Sequence, residues 1–434
     1  MVVRTIFIFS LFVTSPSLWA SPDIQQWQLD NGARVLFVES HELPMVRVSL
    51  VFNAGSSRDT RGKEGQALLT NYLLDEGTKK LSANAISDRL EGLGAELSAS
   101  VDLDMATVGI RSLSDKARLN PALDILKALV TEPVFPESSL ERERGRLLIG
   151  LERSEQSPAD VGQKVIYRLM FGNHPYARPS SGDKKSVKAI GRDDLMQFHR
   201  QYYVGANTVV VIVGDVSKSG ARRIARKIVG DLPAGRAATS LPEVKDLKSA
   251  TTKRIRFPSS QTHILAGLPG MKRGDPDYFP LYVGNYMLGG GGLVSRLSQE
   301  IREKRGLSYS AYSYFWPLRN KGPFMMGLQT RNDQADKALD VMRKTLQGYI
   351  KTGPSDKELN AAKKNITGGF PLRLDSSGKI AAYLAVIGFY NLPLSYLDDF
   401  SGKVDAVTRD QVRDAFKRRI NPDRMVTVIV GGKS

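Results

Sequence analysis

Residues 187–193, VKAIGRD, recur as VDAVTRD at 404–410, a separation of 217. The strand-like VIVG at 211–214 recurs at 428–431, again 217 apart, and ALDIL at 122–126 recurs as ALDVM at 338–342, 216 apart. Three matches at nearly one spacing point to an internal duplication. The chain then divides into two copies of one α+β unit of about 210 residues, so its 434 residues make two domains where length alone suggests about three.

The first copy opens on strand patterns. WQLDNGARVLFVES carries a hairpin turn at Asp30, Asn31 and Gly32, and MVRVSLVFNAG follows. Helical periodicity appears in EGQALLTNYLLDEG and ANAISDRLEGLG, with Gly77 and Gly94 as stops. Two alternating strands, AELSASVD and MATVGIRS, lead to a helix at PALDILKALVTEP and a long charged helix after Pro136. Two more helices, VGQKVIYRLMFG and GRDDLMQFHRQYY, precede an apolar strand, TVVVIVGDV, and a basic helix, KSGARRIARKIVG. The second copy repeats this order. We place the first domain at 21–230, a linker rich in Pro and Ala at 231–253, and the second domain at 254–434.

Hydrophobic residues make up 41% of the chain, enough for two cores and too many for a disordered chain. The net charge of +17 favours anionic surroundings, but there is neither a zinc-finger spacing nor an aromatic-and-basic RNA motif, so nucleic acid is not an expected partner. Cysteine is absent, which removes disulfides, thiol catalysis, cysteine-ligated zinc and a lipoprotein anchor. Residues 1–20 read as a secretory signal: Arg4, an apolar stretch at 6–13, and a cleavage point after Ala20, with Leu18 where a small residue is usual. The stretch is short for a bilayer span. A periplasmic protein of a Gram-negative bacterium, without a stable membrane anchor after cleavage, is the expected product.

The stretch at 295–312, SRLSQEIREKRGLSYSAY, carries the chemistry that stands out. It follows four glycines, Gly289, Gly290, Gly291 and Gly292, and begins as a helix with Leu297 and Ile301 on one face. Gly306 ends that helix, and Tyr309 is expected in the strand beyond it. Arg302 and Tyr309 would then face each other across a tight turn, a cation and a phenol able to donate hydrogen bonds to a carbonyl or a developing oxyanion. The alternative is an Arg302 ion pair with Glu300 or Glu303 and a core role for Tyr309. The glycine run lacks the Gly-Lys-Ser/Thr of a phosphate loop. His41, His174, His199 and His263 are scattered, with no pair three or four residues apart, so no metal site is read from them.

The duplicated unit, NAGSSRDTRGKEGQALL, GNHPYARPSSGDKKSVKAI and SRLSQEIREKRGLSY together resemble the M16 family of zinc peptidases, which includes pitrilysin, insulin-degrading enzyme and the mitochondrial processing peptidase. The resemblance spans the mature chain and matches the short-chain members that work as pairs. It implies two tandem α+β domains, each a largely antiparallel sheet layered with helices. Active members carry His-x-x-Glu-His on the first helix, where two histidines one turn apart bind zinc and the glutamate activates water. Here those positions hold Leu68, Asn71 and Tyr72, and the distal glutamate position falls on Gly150, with Glu152 the close alternative. This chain is therefore expected to bind no metal itself. Arg302 and Tyr309 match, in context and seven-residue spacing, the family pair that holds substrate and its tetrahedral intermediate. The glycines resemble the substrate-contacting loop of the non-catalytic processing subunit. The resemblance thus implies a non-catalytic subunit of a heterodimer, offering Arg302 and Tyr309 in trans to a zinc-bearing M16 partner that cleaves peptides. The other reading is an inert pseudo-peptidase that binds peptides or scaffolds a complex.

Overall fold

A computed structural model describes residues 22–432; the leader expected at 1–20 lies outside them. The first half contributes β1 (Gln25–Gln28), β2 (Arg34–Glu39), β3 (Met45–Phe52), β4 (Glu96–Val101), β5 (Ala106–Leu113) and β6 (Thr208–Gly214). Its helices are α1 (Gln66–Tyr72), α2 (Ala83–Leu93), α3 (Lys116–Thr131), α4 (Glu137–Glu155), α5 (Pro158–Phe171), α6 (Lys184–Ala189), α7 (Arg192–Tyr202) and α8 (Lys218–Val229). The second half contributes β7 (Thr251–Ile255), β8 (Ser259–Pro269), β9 (Ala311–Phe315), β10 (Pro323–Arg331) and β11 (Val426–Gly432). Its helices are α9 (Tyr278–Asn285), α10 (Arg296–Ser298), α11 (Ala335–Thr352), α12 (Asp356–Gly368), α13 (Ser377–Tyr390), α14 (Tyr396–Asp405) and α15 (Arg409–Arg419).

The two sheets run β1-β2-β6-β3-β5-β4 and β7-β11-β8-β10-β9, and apart from the additional edge strand β1 they have the same order. In each half one strand near the start runs parallel to the last strand (β2 with β6, β7 with β11), and the other pairings are antiparallel. The register follows the duplication: Val428 and Ile429 occupy in β11 the positions that Val211 and Ile212 occupy in β6. Gly32 takes the β1–β2 turn at φ +88°, a conformation open to glycine at little cost. One element starts earlier than its periodicity suggests. α3 begins at Lys116, where Asp115 caps the Ala117 N–H, and Pro121 lies inside the helix.

The central strands are buried on both faces. TVVVIVG of β6 is buried throughout, the pattern of a strand covered on each side. Val210 and Ile212 face a core formed with the first half's own helices, including Leu126, Leu129 and Ile228. Val209, Val211 and Val213, with Leu36 and Val38, join a core containing Ala381, Leu384 and Ile387 of α13, a second-half helix. The reciprocal arrangement holds on the second sheet. Val426, Val428 and Val430 of β11 pack against Ile166, Tyr167 and Met170 of α5, a first-half helix. α5 and α13 are repeat equivalents, so the halves exchange corresponding helices, each closing the outer face of the other's sheet.

Glycines allow the close approach. A Cβ on Gly388 would lie 2.6 Å from Val209 Cγ1, and one on Gly162 would lie 3.2 Å from Leu265 Cδ1. A buried polar node ties the same interface. Asp104 accepts from the Tyr176 hydroxyl at 2.7 Å, the Arg319 N–H at 2.7 Å and the Tyr390 hydroxyl at 3.0 Å, so one carboxylate joins both halves and the end of α13. The segment between the halves is irregular up to β7, yet fastened: the carbonyl of Pro242 is bonded by His174 Nε2 at 2.9 Å and by Asn320 Nδ2 at 2.8 Å, and the carbonyl of Thr239 by Arg58 at 2.7 Å.

Candidate functional site

The first-half helix that would carry a metal is held by its N-terminal turn. Asp59 accepts from the backbone N–H groups of Gly65 (2.8 Å) and Ala67 (2.7 Å), and Gly65 adopts φ +99°. Burial pushes the Asp59 carboxyl up to about 7 against those two hydrogen bonds, which favour its charged form. Along α1, Leu68 is half-buried and Tyr72 is 47% exposed. Asn71 is buried, and its amide donates to the Thr107 carbonyl and the Tyr203 hydroxyl, both at 3.3 Å. On α4, Gly150 is exposed with open space around it, while Glu152 lies 3.8 Å from Lys184.

Leucine, asparagine, tyrosine and glycine at these positions supply no zinc ligand set and no base. Among the described residues there is no group of three His, Asp or Glu side chains able to hold a metal. The residues present do not fit the zinc that the sequence resemblance implies for active members.

The histidines have structural settings. His174 accepts from the Tyr176 N–H through Nδ1 at 3.1 Å and holds the interdomain segment through Nε2. His199 stacks on Tyr203 and donates to the Val130 carbonyl at 3.0 Å, and burial pushes its imidazole down to about 4. His263 lies on β8 and is lowered by burial. Only His41, between Asp215 (2.6 Å) and Glu39 (3.0 Å), is raised, chiefly by the Asp215 hydrogen bond.

The second-half stretch is built differently from an ordinary helix and strand. α9 runs into a π-helical turn at Tyr286–Gly290, and α10 into another at Gln299–Glu303; such turns often accompany functional sites. Leu297 and Ile301 are fully buried on one face. A Cβ on Gly289 would sit 2.5 Å from Ser313 N and 2.7 Å from Leu297 Cδ1. That glycine is a packing requirement, bringing the π turn onto β9. Gly290 and Gly292 are exposed, Gly291 is half-buried, and Gly292 takes φ +63° at the start of a turn whose Leu293 and Val294 are 57% and 67% exposed.

Arg302 and Tyr309 do come together, but not as the strand pattern suggests. β9 begins at Ala311, so Tyr309 sits in the preceding loop, 88% exposed. Serine chemistry explains the difference. Ser308 Oγ lies 2.6 Å from the Gln329 carbonyl and 2.7 Å from the Ser310 carbonyl, its one proton available to either, and Thr330 Oγ1 donates to the Leu307 carbonyl. These bonds fasten the loop on either side of Tyr309 and leave its ring outside. Arg302 Nη1 donates to the Tyr309 carbonyl at 3.4 Å, while its Nε lies 3.3 Å from Glu303. Arg302 therefore keeps the ion pair with Glu303 while remaining beside Tyr309. Arg305 pairs with Glu300 at 2.6 Å instead.

Arg296 is the residue here that sequence reasoning passed over. Its guanidinium meets Glu358 of α12 through two bonds of 2.6 and 2.8 Å, donates to the Gly353 carbonyl at 3.0 Å, and lies 4.9 Å from the centre of the Tyr349 ring. The Arg296 bonds hold the Glu358 carboxyl down at about 2. The signal was present in SRL, but a salt partner 62 residues away leaves no local trace.

The frame is thus a duplicated α+β unit whose first helix holds Leu68, Asn71 and Tyr72, with Arg302 beside the Tyr309 backbone in the second half. Residues 34–184 match the family described as insulinase (peptidase family M16), and residues 189–366 match the peptidase M16 inactive domain. The chain belongs to the M16 peptidase family. The crystal structure of a peptidase M16 inactive domain from Pseudomonas fluorescens is 40% identical, with a TM-score of 0.92 over 95% of this chain and 99% of that one. The chain is 28% identical over 400 residues to an uncharacterized zinc protease of Streptomyces coelicolor, covering 90% of this chain and 86% of that protein. It is 26% identical over 403 residues to the non-peptidase homolog YmxG of Helicobacter pylori, covering 92% of each.

Proposed function

We propose that this chain is the non-catalytic subunit of a heterodimeric M16 peptidase of the periplasm, working on peptides beside a zinc-bearing M16 partner. The observation that carries this reading is the contrast between the halves: the metal helix holds Leu68, Asn71 and Tyr72, while Arg302, at the end of a π-helical turn, bonds the backbone of Tyr309, whose ring stands out from the following anchored loop. The similarity to an inactive domain and to a non-peptidase homolog supports the loss of hydrolysis by the isolated chain. The partner would bring zinc and water activation. Arg302 and Tyr309 would supply donors to the substrate carbonyl and the charge that develops on it, and Gly290, Gly291 and Gly292 would serve as a peptide-contacting loop.

The second reading is an inert peptide-binding or scaffolding subunit. The Arg302–Glu303 ion pair favours it, because it gives the guanidinium a purely structural task.

Reconstitution separates the two. The purified chain should bind no stoichiometric zinc and hydrolyse no peptide. Mixed with a secreted M16 chain that retains His-x-x-Glu-His, it should form a one-to-one complex that cleaves peptides faster than the partner alone. A complex that forms without raising the partner's activity would favour the scaffold, and stoichiometric zinc in the isolated chain would overturn both.

A further inference from the structure

The outer helical layer of the first half, α2, α3 and α8, carries an unusual combination of charge and apolar surface. α8 buries Ala221, Ile224, Ala225 and Ile228 and turns Lys218, Arg222, Arg223 and Arg226 outward. Among the described residues none of these four has an acidic partner within ion-pair distance, whereas Lys227 pairs with Asp124 at 2.9 Å and Lys127 with Asp231. On the other side of α3 a groove of about 670 Å³ opens between α2 and α3, with Leu81, Leu93, Ile125 and Ala128 among its lining and Lys80 and Arg89 at its edges. Lys80 and Arg89 likewise lack acidic partners among the described residues. Asp124 and Lys127 border the groove and also reach the neighbourhood of α8, so the groove and the cationic helix share one face.

We infer that this face docks on an anionic phospholipid surface, with α8 against the headgroups and the α2–α3 groove receiving apolar parts of the lipid. Charge complementarity supplies the attraction, since clustered basic residues are drawn to anionic headgroups within a Debye length. The groove favours a membrane over nucleic acid, which offers no apolar counterpart to the partly exposed Leu81 and Leu93. The Arg222 guanidinium lies 5.1 Å from the centre of the Trp27 ring on β1, so an aromatic side chain stands beside the cations of α8. The acids of this face, Asp30 beside Arg222 and Arg226, Asp124, Glu132 and Asp231, leave the cations in excess.

The test is sedimentation of the protein, lacking residues 1–20, with vesicles of phosphatidylcholine alone or with about a third phosphatidylglycerol. Binding should require phosphatidylglycerol and weaken strongly between 0.1 and 0.5 M salt. Arg223→Glu with Arg226→Glu should lower the partition coefficient by about 30-fold or more. Lys357→Glu with Lys364→Glu, on exposed α12 positions, makes the same charge change elsewhere and should lower it far less. Circular dichroism establishes that both variants are folded. No preference for phosphatidylglycerol, equal losses in the two double variants, or equally tight binding to a DNA duplex lost in the same α8 variant would each overturn the inference.

Discussion

Arg296 and Arg302 are six residues apart in one short helical segment and do different work. Arg296 is a clamp, bonded twice to Glu358 and once to a backbone carbonyl. Glu358→Gln should therefore cost about 2 kcal/mol of stability in urea unfolding, the scale of a hydrogen-bonded charge left short of its partner. Arg302→Ala, at a half-exposed site with one long bond, should stay within about 0.5 kcal/mol of the parent. Acidity separates two further groups. His199 is lowered to about 4 in the fold, so its contribution is complete above the ordinary histidine value near 6.5 and is lost as pH falls from there towards 4. The loss should reach about 3 kcal/mol, and His199→Gln, which keeps a donor for Val130, should flatten stability across that window. Glu358, lowered to about 2, acts at lower pH, its contribution disappearing as pH falls below about 4.5. At this scale the sequence made Arg302 and Tyr309 legible through their spacing. It did not reveal that Tyr309 leaves the strand, because the hydroxyls of Ser308 and Thr330 bond carbonyls that only the folded sheet brings near.

The exchanged helices are the elements on which the architecture turns. Amphipathic periodicity in VGQKVIYRLMFG states that α5 must bury a face, and nothing in that pattern says whose sheet receives it. The answer lies in glycines at close approach and in the strand faces left uncovered by local helices. Gly388→Ala tests this directly. Its new Cβ would meet Val209 Cγ1 at 2.6 Å and Leu36 Cδ1 at 3.0 Å, an overpacking that should cost about 1–3 kcal/mol. Differential hydrogen exchange should show the loosening in β2 and β6 of the first half although the substitution lies in the second; protection lost only around α13 would contradict the exchange. The start of α3 shows a smaller gap in legibility. Pro121 looked like a helix start, but the Asp115 cap six residues upstream governs.

Across the whole molecule, the repeat at 217 announced two domains, and the second half's sheet reproduces the first except for the additional β1. The duplication alone suggests two units on a flexible connection. The structure instead interlocks them through α5, α13, the Asp104 node and the fastened interdomain segment. Calorimetry should therefore give one transition with equal calorimetric and van't Hoff enthalpies; two resolved transitions would mean that the exchange adds little coupling. The most direct test of the proposed role is kinetic. In a complex with a zinc-bearing M16 chain, matched for zinc content and assembly, Arg302→Ala and Tyr309→Phe should each lower kcat on a peptide substrate by about 100-fold. Unchanged kcat in both variants would contradict a catalytic contribution in trans and leave this chain a structural companion of the peptidase.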